Sequence, residues 1–103
     1  MFKFEKLRVY QEGLGFVNTI YLLTQKWPKD EIFALISQLR RAVVLIVLNI
    51  AIAEGSSRTK KDFRHFLDLS RGSCYECVAI LTIGLKRNYI KELHNRRRIQ
   101  ESL

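Results

Sequence analysis

The sequence predicts an all-α fold: three long helices and a short fourth in a single domain spanning residues 1–103. Three observations carry this expectation. Apolar residues recur three and four positions apart through most of the chain, a single proline (Pro28) interrupts it, and no internal repeat or low-complexity segment divides it. A hydrophobic content of 48% is enough for one core without a metal or disulfide staple.

In the first helix Leu7, Tyr10, Leu14, Val17, Tyr21 and Thr24 line one face, which Ile20, Leu23 and Trp27 widen. Gly13 and Gly15 each weaken it by about 1 kcal/mol relative to alanine, so packing must compensate. Trp27-Pro28-Lys29-Asp30-Glu31 then starts a second helix, because proline suits the first turn and the two acids suit the positive end of the dipole.

Ile32, Phe33, Leu35, Ile36 and Leu39 begin the second helix amphipathically. Residues 42–53 are then apolar at eleven of twelve positions, with only Asn49 intervening. The run falls short of the ~18 residues of a membrane span and reads as a buried helix apolar on every side. Neighbours that include a thirteen-residue helix cannot cover such a surface, so self-association into a homo-oligomer is expected.

Gly55 is placed to end this helix in a left-handed conformation, and Thr59 with Asp62 resembles a capping box for the third. Phe63, Phe66, Leu67, Ser70, Cys74, Cys77, Leu81 and Leu85 keep helical spacing along that third helix. Residues 91–103 have helix-forming composition, but only Leu93, Ile99 and Leu103 to bury, which predicts a short fourth helix.

Charge points to the partner. The formal net charge is +8, from 18 Lys and Arg against 10 Asp and Glu, which favours polyanions such as RNA or DNA. Residues 58–71 and 86–103 together hold +7 of it. The candidate nucleic-acid-binding residues are Arg58, Lys60, Lys61, Arg64 and Arg71, with Arg96, Arg97 and Arg98. Lys60, Arg64 and Arg71 share one helical face, where phosphate contacts would position a backbone rather than read bases. Asp68 lies within reach of both arginines, so the alternative is a face laced with ion pairs on a protein–protein interaction scaffold with no direct nucleic-acid contact, whose charge serves only solubility or an acidic protein partner. No helix joins a basic face to exposed Trp or Phe, so membrane binding is not expected.

No catalytic set is expected. Cys74-x-x-Cys77 lacks the preceding strand of a redox pair and the further ligands of a zinc site, since His65 and His94 stand at no recognised spacing. Both cysteines fall on the apolar stripe and read as core, leaving no metal and no cofactor implied. Gly13-x-Gly15 lacks the strand and third glycine of a nucleotide fingerprint. The first residues lack a secretory pattern, which with two unpaired cysteines predicts a cytoplasmic protein. Two polar residues need partners: Glu54, which opposes the dipole of the second helix and points to the amides of the third or to Arg58, and Asn49 inside the apolar run.

The residues Gln38-Leu39-Arg40-Arg41-Ala42, Asn49-Ile50-Ala51, Ala53-Glu54-Gly55-Ser56-Ser57-Arg58 and Gly72-Ser73-x-x-Glu76 resemble a known family. It comprises the bacterial four-helix-bundle proteins encoded in intervening sequences of large-subunit ribosomal RNA genes, related to the accessory variability determinants of diversity-generating retroelements. Leu7-x-Val9-Tyr10-Gln11, Trp27-Pro28 and Lys60-Lys61-Asp62-Phe63 fit the same pattern, over roughly residues 4–90. The resemblance implies an antiparallel up-and-down four-helix bundle, assembly into homopentamers, and a partner that is nucleic acid or a nucleic-acid enzyme such as a reverse transcriptase. It also implies structural roles for Gln38, Arg41, Asn49, Glu54, Gly55, Gly72, Ser73 and Glu76. The chain departs from the pattern in carrying two extra residues between Asn49 and Glu54, which add about 200° of helical rotation. The helix must bulge there or displace Glu54.

Overall fold

The computed structural model describes residues 3–90, and in it the chain forms three long helices: α1 (Arg8–Thr24), α2 (Ser37–Ser56) and α3 (Lys60–Lys86). Among the described residues there is no strand. Residues 91–103, which hold the expected fourth helix, lie outside the described residues.

The helices run up, down and up. Arg40 near the head of α2 donates to Thr24 at the end of α1, while Phe4, ahead of α1, lies against Gly55 at the foot of α2. The link from α2 to α3 is three residues long, and Ser70 Oγ of α3 donates to the Ile46 carbonyl of α2 at 3.0 Å. That buried bond ties the α2–α3 register. α2 packs against both neighbours, whereas α1 and α3 scarcely approach each other. The core therefore lines α2 on both sides: Ile20 from α1, Leu39, Ala42 and Val43 from α2, and Cys77 from α3 have no exposed surface.

Pro28 does start the second element, but not as regular α-helix. A 3-10 turn (Lys29–Glu31) and a π turn (Ile32–Ile36) lead into α2. The wide turn holds one extra residue and so rotates the chain relative to the line that Ile36, Leu39, Val43 and Ile46 keep toward the core. Ile32 and Phe33, expected on the buried face, are instead 46% and 95% exposed. With these turns, Lys29–Ser56 is long and apolar enough by composition to cross a membrane, more than the run 42–53 alone. In the fold its inner face is the core, and Arg40 and Arg41 stand mid-length.

Gly55 does not end α2 as expected. It stays helical, no glycine has positive φ among the described residues, and Ser57 leaves the helix in extended conformation with φ −68° and ψ 131°. The left-handed residue is Asn88, φ 64°, at the end of α3. There the Tyr89 N–H donates to the Gly84 carbonyl at 2.8 Å and the Asn88 N–H to Leu85 at 3.1 Å, the paired bonds of a Schellman cap. At the other end Thr59 Oγ1 accepts from the Asp62 N–H at 3.0 Å, as the capping box predicts.

The same turn seats Trp27. Its ring is 4% exposed, lies 5.5 Å from the Tyr89 ring, and sits where a Cβ on Gly84 would meet Cζ2 at 2.8 Å and Cη2 at 2.9 Å. Both atoms belong to a buried ring that has nowhere to move. Gly84→Ala is expected to cost about 1–3 kcal/mol as overpacking. A urea titration followed by Trp27 fluorescence measures this as a lower midpoint with an unchanged slope.

Candidate nucleic-acid interface

α3 is regular over its 27 residues, so its charges hold a fixed geometry. At 100° per residue Lys60, Arg64 and Arg71 lie within ~40° of one another along ~16 Å of helix. All three are exposed, as are Lys61 and Arg58. Arg58 precedes α3 in the short link, so five of the eight candidate cations belong to α3 or its entry. Arg96, Arg97 and Arg98 lie outside the described residues.

The interlaced ion pairs of the alternative reading do not form at Asp68. Arg8–Glu12, at 2.8 Å on the surface of α1, is the ion pair found among the described residues. Tyr75, one turn beyond Arg71, and Asp68 after it keep the Arg71 guanidinium above its ordinary range. The basic face is thus a row of charges open to a polyanion. Sequence reading missed Tyr75, whose ring is 63% exposed beside that row and offers a surface for a base to stack on. Its signal is an aromatic residue four positions from Arg71 and off the buried stripe. Lys6 was missed as well: the contact of Phe4 with Gly55 brings the 3-10 turn Lys3–Lys6 to the end of the bundle where α3 begins.

The residues that carried the family resemblance divide sharply. Asn49 and Ser73 are buried, while Gln38, Arg41, Glu54, Gly55, Gly72 and Glu76 are exposed, Gly55 with the Phe4 ring close beside it. A model of the 23S rRNA-intervening sequence protein family matches residues 5–102. The chain belongs to that family. No curated protein matches it.

For this member of the 23S rRNA-intervening sequence family, the bulge expected between Asn49 and Glu54 does not form. α2 is unbroken α-helix from Ser37 to Ser56, so Asn49 turns inward and Glu54 outward. Asn49 Nδ2 donates to the Leu45 carbonyl of its own helix at 2.9 Å. Glu54 has no hydrogen bond or ion pair among the described residues, contrary to the partner expected for it. Thr59 already occupies the cap of α3, and Arg58 and Lys60 share with Glu54 only the rim of a cavity of about 310 Å³.

The cysteines sit as their spacing predicts. Cys77 is fully buried and Cys74 half-buried, and among the described residues no three His, Cys, Asp or Glu side chains gather as a ligand set. Burial, with smaller contributions from Cys74 and Glu76, pushes the Cys77 thiol up to about 12, and burial raises Cys74 as well. A thiol held protonated is a poor nucleophile. The unfolded chain loses this proton from about pH 9 and the folded chain only near 12, so the native state binds more protons between these limits and stability falls as pH rises through them. Cys77→Ala is expected to flatten that alkaline decline while lowering stability at neutral pH by about 1–2 kcal/mol. Denaturant titrations of both proteins from pH 8 to 11 make the comparison.

Proposed function

We propose that this member of the 23S rRNA-intervening sequence family is a non-catalytic, self-associating protein that binds nucleic acid, RNA or DNA, chiefly through phosphates. The observation that carries the reading is the α3 face, where Lys60, Lys61, Arg64 and Arg71 stand exposed with no ion-pair partner among the described residues. Cations held this way on one rigid helix displace the counterions condensed on a nucleic acid's phosphates, and that release drives binding with little regard to sequence. The family's name supports RNA as the ligand. Resemblance to accessory variability determinants adds a reverse transcriptase as a protein partner.

Self-association is supported by the outward side of α2, where Leu48 and Ile52 are 50% and 38% exposed on a helix whose inner side already builds the core. Resemblance suggests five subunits. Copies of a weak basic face in one assembly add by effective concentration, so long RNA binds better than short oligonucleotides. A gel shift of RNA and DNA in rising salt, with sedimentation equilibrium at micromolar protein, tests the two halves separately. No shift at low salt turns the assembly into a protein scaffold. A monomer at every concentration removes the avidity.

A further inference from the structure

At the head of α2 a groove of about 900 Å³ opens between this helix and the end of α1. Phe33, Leu45 and Leu48 supply its apolar surface, Lys29, Arg40 and Arg41 supply charge, and no carboxylate lines it. Phe33 is 95% exposed and Leu48 half-exposed. Arg40 is held in place, since its Nε donates to Thr24 Oγ1 at 2.9 Å and its Cζ lies 4.5 Å over the Tyr21 ring. Arg41 is exposed and has no hydrogen bond or ion pair among the described residues. Large apolar side chains in water beside unopposed cations fit a segment that carries apolar and acidic side chains together.

The chain itself carries such a segment. Leu69, Gly72, Glu76, Ala79 and Ile83 alternate spacings of three and four along α3, which lines them up as one narrow seam. All five are exposed, off the line that Ser70, Ser73, Cys77 and Ile80 bury against α2. The seam is thin where it needs to be, because a Cβ added at Gly72 would meet nothing within 4 Å and another helix can approach there. None of the five is basic, and Glu76 has no ion pair among the described residues.

Spacing matches across the two surfaces. Arg41 and Leu48 are seven residues apart on α2, and Glu76 is seven from both Leu69 and Ile83 on α3, about 10.5 Å in each case. One register therefore brings Glu76 to Arg41 and a leucine or isoleucine to Leu48, whichever way the helices run. We propose that the α2 groove of one subunit receives the α3 seam of a second copy of this chain. The proposal rests on the self-association in the reading above and names its surface. Groove and seam are different patches, so each subunit both gives and receives the contact and can pass it on to the next.

Charge reversal tests this in the whole chain. Arg41→Glu and Glu76→Arg are each expected to weaken self-association at least tenfold by sedimentation equilibrium, and the double variant to restore it, with helical circular dichroism unchanged because both side chains are exposed. An assembly unmoved by either single change overturns the pairing while leaving self-association standing; a monomeric wild type overturns both. Loss of RNA binding in Arg41→Glu and Phe33→Ser with the assembly mass intact would instead give the groove to nucleic acid and also overturn the proposal.

Discussion

Replacing Lys60, Arg64 and Arg71 together with glutamine is expected to flatten the salt dependence of nucleic-acid binding by up to about three units of log–log slope per subunit engaged. The three side chains share one exposed face of α3 and make no ion pair among the described residues, and the interaction of Arg71 with Tyr75 and Asp68 lies at the surface, so their removal leaves the core untouched. Each phosphate contact contributes a slope of roughly 0.7–0.9, so between 50 and 200 mM salt wild type should lose on the order of forty-fold more affinity than the variant. Affinity should fall alike for different sequences, since phosphates carry no base identity. Filter binding across a salt series reads both quantities. A variant whose slope equals that of wild type would show that these cations are merely hydrated. The corresponding change at Arg96, Arg97 and Arg98 measures the contribution of the terminal segment.

Ile46→Asp is expected to leave the chain unfolded at neutral pH. Ile46 is 6% exposed on the inner side of α2, and its carbonyl receives the buried Ser70 hydroxyl. A carboxylate there is buried on the inner side of α2, while Arg71, which lines the same cavity, is exposed and shares it with the carboxylates of Glu12 and Glu54; a buried charge left unpaired costs more than the ~4–5 kcal/mol at which single substitutions become exceptional. That is comparable with the whole stability of a small domain, ~5–15 kcal/mol. Burial raises the carboxyl pKa in the folded state, so the penalty should shrink as pH falls and the neutral acid is restored. Ile46→Val, which removes one methylene and no polarity balance, should cost only about 0.5–1.5 kcal/mol. Circular dichroism at pH 7 and pH 4 distinguishes the outcomes, and a fully helical I46D at pH 7 would contradict the burial of this position.

Much of the architecture was legible because it rests on local chemistry. The spacing from Leu7 to Thr24 lays out α1, Pro28 and its acids locate the second element, and the Thr59 hydroxyl on the Asp62 amide is the capping box that the residues spell. Features that depend on three dimensions were not legible. The π turn that throws Phe33 outward has no signature in a stretch of apolar residues that equally suits an α-helix. Gly55 and Asn88 are both plausible helix ends, and which one turns left-handed is settled by where Trp27 and Tyr89 pack. On the candidate site, charge located the α3 face, but periodicity cannot reveal whether Asp68 reaches its arginines. The resemblance did not say where its residues would lie: Asn49 and Ser73 are buried, whereas Gln38, Arg41, Glu54, Gly55, Gly72 and Glu76 are at the surface.

The arrangement of α2 between two helices that scarcely touch has a kinetic meaning. α2 and α3 are joined by three residues and pack along their length, so among the described helices their contacts are short in sequence and inexpensive in loop closure. Among the described residues α1 packs chiefly on α2, and less extensively than α3 does. The hairpin of α2 and α3 is therefore expected to open last in amide exchange, and α1 to detach first. The α3 cations lie on that persistent half, so fluctuations that loosen α1 leave the row of charges spaced as it was.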